Sequence, residues 1–204
     1  MLNKEVKAVL FDLDGVLVDS FDAWFNTYND SLLQLGYSKV SKQKFKEIFG
    51  SPIEEDVRTS FKGQSISAVK NEYVMNFRRR VRLVRLIHGA RETLISLRKK
   101  SVRLALITNS PKTIVSLILS HHKIRKYFHT LVAMEDVKIG KPAPDMALEA
   151  CKRLGVRPEN SILVGDTKYD MIAGKKAGCI AVGYKLKGDY KIDSLKQIER
   201  FIYV

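Results

Sequence analysis

The stretch from Val6 to Ser20, VKAVLFDLDGVLVDS, constrains this chain more than any other. An apolar run rich in Val, Leu and Phe stops at Asp12, and a second carboxylate, Asp14, follows just before Gly15. Strands buried on both faces of a parallel sheet are near-continuously apolar, and the ligand crevice of an open α/β sheet lies beyond the strand carboxyl ends. The run therefore predicts a buried strand that delivers two acids to the rim where such sheets do chemistry. Asp and Gly are also ordinary turn residues, so the fragment needs support from the rest of the chain.

The chain next leaves Gly15 and enters a long helical insertion. Asp19 and Ser20 are suitable caps for a helix from about Phe21 to Leu35, whose Phe21, Trp24, Phe25, Tyr28, Leu32 and Leu35 recur at helical spacing before Gly36. Aromatics at that spacing are read as core. Ser41 opens a helix through Phe49, Pro52 one through Phe61, and Ser65 or Ser67 one reaching about Leu83. The region carries no convincing strand pattern.

After His88 and Gly89 strands and helices alternate at short spacing. A helix over Arg91 to Lys100 precedes VRLALITNS, a helix opens at Pro111, and a short strand lies near Leu131 to Ala133. A helix from about Asp145 to Leu154, the strand SILVGD, a helix through Met171 to Lys176 and the strand CIAVGY follow. This alternation predicts a parallel sheet with helices on both faces. Lys187 to Lys191 reads as a polar loop, and Ser194 to Phe201 as a closing helix.

Parallel strands place their carboxyl ends on one rim, which brings together Asp12 and Asp14, Thr108-Asn109-Ser110, Gly140-Lys141-Pro142, and Gly165-Asp166-Thr167 with Asp170 beyond. Thr108, Ser110 and Asp166 could each be helix caps, Lys141 a solvated turn lysine and Asp170 a surface acid. Together they make a poor set of caps and a good site.

Composition limits the partners. The chain has 204 residues, 45% hydrophobic and 28% charged, as in globular proteins. It has no apolar run of membrane-spanning length and no signal-type apolar segment after Asn3, Lys4 and Glu5, so the expectation is a cytoplasmic protein without a membrane partner. Cys151 and Cys179 have neither metal-type nor disulfide-framework spacing and receive no role. The net charge is +14, with Arg98, Lys99, Lys100, Arg103, Lys112, Lys123, Arg125 and Lys126 unbroken by any acid between Thr93 and Met134. Arg78, Arg79, Arg80, Arg82 and Arg85 form a second cluster. Such patches suit nucleic acid or small anionic metabolites, but no nucleic-acid-binding module is visible.

DLDGVLVDS, ITNS, GKPAPD and GDTKYD resemble, in order and spacing, the four motifs of the haloacid dehalogenase superfamily of phosphohydrolases. The phosphoglycolate-phosphatase-like and β-phosphoglucomutase-like branches are the nearest in pattern. The resemblance implies an α/β fold: a Rossmann-like parallel sheet, order 3-2-1-4-5, sandwiched by helices, with an inserted helical cap. It further implies a core domain of residues 1–16 plus 86–204 and a cap of residues 17–85.

For function it implies a Mg²⁺-dependent phosphatase of small phosphomonoesters, of phosphoglycolate or sugar-phosphate type. Asp12 is the expected nucleophile, since a carboxylate can carry a phosphoryl group as a covalent intermediate. Asp14 is the general acid and base. Leu13, Asp14, Thr108, Asn109 and Lys141 are the expected phosphate-binding set, with Lys141 also catalytic through the charge it supplies to the transition state. Asp12, Asp166 and the main-chain carbonyl of Asp14 are the metal ligands the resemblance implies, hard oxygen donors suited to Mg²⁺. Asp170 is either a further ligand or an acceptor behind them. Alternatives are a β-phosphoglucomutase-like phosphotransferase and a basic nucleic-acid-binding protein on the same scaffold. Intact acids at every motif argue against the latter, and the expected partner is a small phosphorylated metabolite. Periodicity does not say which cap residues face the phosphate, and nothing in the sequence speaks to oligomeric state.

Overall fold

The computed structural model describes residues 5–202; the ends of the ranges expected above, 1–4 and 203–204, lie outside the described residues. The chain opens with β1 (Ala8–Phe11) and the short β2 (Val18–Asp19). It then runs through α1 (Phe21–Gln34), α2 (Lys42–Ile48), α3 (Ile53–Thr59) and α4 (Ile66–Arg78) before β3 (Arg85–Leu86). Strands and helices alternate from there: α5 (Ala90–Lys99), β4 (Arg103–Ile107), α6 (Lys112–His121), β5 (Thr130–Val132), α7 (Asp145–Leu154), β6 (Ser161–Gly165), α8 (Lys168–Ala177) and β7 (Ile180–Tyr184). A last strand, β8 (Tyr190–Ile192), and a closing 3-10 segment, Leu195–Phe201, complete the described chain.

The six-stranded sheet has the order β5-β4-β1-β6-β7-β8, parallel throughout. Successive side chains of a strand point to opposite faces, and in β1 Val9 and Phe11 enter one hydrophobic cluster while Ala8 and Leu10 enter another. That two-sided burial explains the apolar run before Asp12. The first five strands have the expected order 3-2-1-4-5. Among the described residues no helix is long and apolar enough to cross a membrane.

Four local expectations need correction. Tyr190–Ile192, overlapping the expected polar loop, is a sixth strand: its Tyr190 and Lys191 are exposed and Ile192 alone is buried, a pattern suited to a sheet edge. The insertion, expected to lack strands, begins and ends in an antiparallel ladder pairing Val18 with Leu86 and Asp19 with Arg85, too short for any periodicity. The helix expected to reach Leu83 stops at Arg78, and Val81–Leu83 forms a separate 3-10 turn. The expected closing helix is 3-10 because its apolar residues Leu195, Ile198 and Phe201 recur every three residues, the 3-10 period.

α1 buries Trp24, Tyr28 and Leu32 together with Val69, Tyr73 and Phe77 of α4. Trp24 meets Phe77 at 4.8 Å and Tyr73 at 5.6 Å between ring centroids. The aromatic stripe is core, as expected, but Trp24 has a second task at the site. Both cysteines are free and buried.

Candidate active site

β1, β4 and β6 end side by side, because β1 lies between the other two. Their carboxyl ends carry Asp12, Thr108 and Asp166, and the loop before α7 brings Lys141 beneath them. Lys141, 3% exposed, donates from Nζ to Oδ1 of Asp12 and to Oδ1 of Asp170, both at 2.6 Å. It is therefore no solvated turn lysine. Oδ2 of Asp170 accepts from the Thr167 backbone N–H at 3.1 Å and the Thr167 hydroxyl at 2.6 Å. Thr167, rather than Asp166, caps α8.

One buried oxygen is left over. Oδ1 of Asp166 has no hydrogen-bond partner among the described residues. Carboxylate oxygens of Asp12, Asp166 and Asp170 all lie within 4.8 Å of one another. Burial, partly offset by Lys141, together with the Asp170, Asp166 and Asp14 charges holds Asp12 well above the ordinary carboxylate range. Burial and then the Asp170 charge push Asp166 up to about 7. Burial opposes the Lys141 ammonium, but Asp12 and Asp170 outweigh it and raise its pKa. Three crowded acids with one lysine and one orphaned oxygen fit a hard divalent cation, which would supply the missing positive charge. Gly15 makes the approach possible: at φ +87, a Cβ there would lie 2.0 Å from Asp166 Oδ2.

Asp14 sits in a cage of three donors. Its Oδ1 accepts from the Ser20 hydroxyl at 2.5 Å and the Trp24 indole N–H at 2.9 Å, and its Oδ2 from the Ser110 hydroxyl at 2.8 Å. Ser20 stands at the N-cap of α1 as expected, yet its side chain makes no cap bond, because it is spent on Asp14. Ser110 likewise serves Asp14 and caps nothing. The buried Thr108 hydroxyl accepts from the Ser110 N–H at 3.1 Å. Asn109 works through its side chain as a strap: Nδ2 donates to the carbonyls of Gly50 and Lys141, and Oδ1 accepts from the Lys141 N–H. Leu13 is fully buried in the core and does not line the cavity under the insertion.

Above this floor the insertion forms a roof over a cavity of about 60 Å³. Trp24, Tyr28, Phe45, Phe49 and Tyr73 supply aromatic wall, and Ser51 and Asp56 supply polar atoms. Asp56 accepts from the Ser51 hydroxyl at 2.8 Å and the Tyr73 hydroxyl at 2.9 Å. Sequence reasoning brought the floor residues together, placed Ser110 on the rim without giving it a role, and missed Ser20, Trp24 and Asp56 as site residues. Ser110 carried a signal, lying within the strand-end motif.

A Rossmann-like parallel sheet with crowded acids and a buried lysine at its strand ends, under a helical insertion, defines an α/β protein with a site suited to a divalent cation. The family model described as haloacid dehalogenase-like hydrolase matches residues 9–184, and the chain belongs to that family, as a phosphatase-type enzyme. It is 33% identical over 189 residues, 87% of this chain and 70% of the relative, to a phosphoglycolate phosphatase of Pseudomonas fluorescens. It is 30% identical over 190 residues to the pyrophosphatase PpaX of Bacillus velezensis, covering 92% of this chain and 88% of that one. Its fold is similar to that of β-phosphoglucomutase from Clostridium difficile, with a TM-score of 0.83, 21% identity and 96% of each chain covered. Phosphatases of this family generally use a divalent metal.

Proposed function

We propose that this enzyme is a Mg²⁺-dependent phosphatase that hydrolyses small phosphomonoesters, of phosphoglycolate or sugar-phosphate type, through an aspartyl phosphate on Asp12. The observation that carries the reading is the orphaned Asp166 oxygen among three carboxylates at one strand rim. Mg²⁺ held by Asp12, Asp166, the Asp14 carbonyl and, directly or from behind, Asp170 would offset the repulsion between a phosphate dianion and these acids.

Asp12 attacks phosphorus while Asp14 gives its proton to the departing alcohol oxygen. Asp14 then takes a proton from the water that cleaves the aspartyl phosphate. Thr108 and the backbone amides of Leu13, Asp14 and Asn109 hold the phosphoryl oxygens, and Lys141 stabilises charge as it spreads over them. Ser20, Trp24 and Ser110 orient Asp14. The division into a core of residues 1–16 plus 86–204 and a cap of residues 17–85 belongs to the same proposal, supported by the ladder between the feet of the insertion.

The mutase and nucleic-acid readings have no observation of their own. Likeness to β-phosphoglucomutase is one of fold, and Arg78, Arg79, Arg82 and Arg85 are exposed outside the cavity. The test is hydrolysis of p-nitrophenyl phosphate by purified protein. Turnover is expected with Mg²⁺ and none after exhaustive EDTA treatment; undiminished turnover in EDTA sinks the metal assignment.

A further inference from the structure

The roof contains a buried acid that no part of the reaction uses. Asp56, 7% exposed, lines the cavity from α3. Its two oxygens each accept one hydrogen bond, from Ser51 and Tyr73, and a carboxylate oxygen can accept more than one. Burial pushes its pKa up to about 7 against the Ser51 and Tyr73 hydrogen bonds, and its charged neighbours Glu55 and Glu54 add a smaller repulsion. A buried acid without a cation is costly unless further donors reach it.

Two more observations concern the same wall. The buried Tyr28 hydroxyl makes no hydrogen bond of acceptable geometry; Ser60 comes near enough to lower its pKa, but burial and the Asp56 charge raise it overall. Lys141 is the single cation among the described residues bounding the cavity, and it is already shared between Asp12 and Asp170 on the floor. The excess positive charge of the chain therefore stops at the outer surface. A second carboxylate or phosphate at the far end of a substrate would face Asp56 with no cation beside it: the contact repels when Asp56 is ionised and leaves the substrate anion uncompensated when Asp56 is protonated, and both disfavour binding.

We propose that Asp56 is the specificity-determining residue of the roof: it accepts a hydroxyl from an uncharged, hydroxylated leaving group and turns away monoesters whose far end is anionic. This rests on the phosphatase reading and narrows it toward polyol and sugar monophosphates. It separates the chain's preference from the acid named in its phosphoglycolate phosphatase relative. It also disfavours a bisphosphate.

The test compares kcat/KM of the Mg²⁺-loaded enzyme for glycerol 3-phosphate with that for 2-phosphoglycolate and pyrophosphate. At least tenfold preference for glycerol 3-phosphate is expected, and Asp56→Asn, which keeps an acceptor but removes the charge, should reduce the ratio several-fold by improving the acid. Equal or better turnover of 2-phosphoglycolate by the parent overturns the proposal, as does an unchanged ratio in Asp56→Asn. p-Nitrophenyl phosphate is run alongside. If it too is untouched, the phosphatase reading fails separately, and Asp56 is judged by which compound raises the thermal midpoint of the parent. A larger shift with glycerol 3-phosphate supports the assignment, and a larger shift with 2-phosphoglycolate, or no difference, overturns it.

Discussion

The floor and the roof of the cavity are built on opposite principles. On the floor the acids follow from strand ends or a helix start, so the sheet and helix backbone set their positions, and Lys141 reaches them from a loop strapped by the Asn109 side chain. In the roof the groups project from helix faces, and their positions depend on aromatic packing among Trp24, Tyr28, Phe45 and Tyr73. The floor concentrates charge: four carboxylates and a lysine, with Asp12, Asp14, Asp170 and Lys141 buried and Asp166 partly so. The roof has one acid in an aromatic setting. Rate should therefore be decided below and choice of substrate above.

The strongest way to break that division is Asp12→Asn. Loss of the nucleophile should lower turnover of p-nitrophenyl phosphate by about 10⁴-fold or more, on the scale seen when other enzymes lose theirs. Activity within tenfold of the parent, about 1.4 kcal/mol in barrier, would show that the floor does not hold the reacting group.

Lys141→Met tests whether the floor's charge balance carries both catalysis and stability. Removing one positioned donor typically costs about 10²- to 10³-fold in kcat. Breaking a buried ion pair costs about 3–5 kcal/mol because it strands the opposite charge. The substitution should thus lower both kcat and the thermal midpoint of metal-free protein, and Mg²⁺ should recover part of the midpoint. An unchanged midpoint would mean that the Asp12 and Asp170 contacts contribute little.

Trp24 belongs to the roof by packing and to the floor by its hydrogen bond, so Trp24→Phe sharpens the boundary. With Ser20 and Ser110 still in place, about a tenfold loss in kcat with little change in KM is expected, within the range for an impaired general acid or base. A change confined to KM would assign Trp24 to the roof alone.

The last test concerns stability against pH. The Asp56 pKa is raised in the folded protein to about 7, above its unfolded value. Its favourable contribution is complete below about pH 4, where both states are protonated, and is lost as pH rises to about 7. Asp56→Asn does not titrate, so its thermal midpoint minus that of the parent should increase between pH 5 and pH 7.5. A difference that stays flat or falls would mean that Asp56 is not a buried acid reluctant to ionise.

The same contrast explains what was legible. Asp12, Asp14, Lys141 and Asp166 could be placed because strand topology converts local motifs into one rim. The contact of Ser110 with Asp14 spans 96 positions in sequence, and the chain between them gives no hint of which hydroxyl turns inward. Asp56 is harder still. Glu54, Glu55 and Asp56 together look like ordinary acids in the first turn of a helix, favoured there by the backbone dipole. Which of the three faces inward is decided by α4, whose Tyr73 bonds to Asp56.

The two-residue ladder joining Val18–Asp19 to Arg85–Leu86 has a consequence for engineering. The insertion leaves and rejoins the sheet at adjacent points, so its two attachment points would stay together if everything between them were exchanged. Closing a longer or shorter segment across that gap changes the entropy slowly, by about 0.6 kcal/mol for each doubling of length. A transplanted lid with the same pair of feet would inherit Asp12, Lys141, Asp166 and Asp170 already assembled beneath it but would have to resupply the Ser20 and Trp24 donors to Asp14, and new specificities could be installed by cutting and rejoining the chain at that ladder.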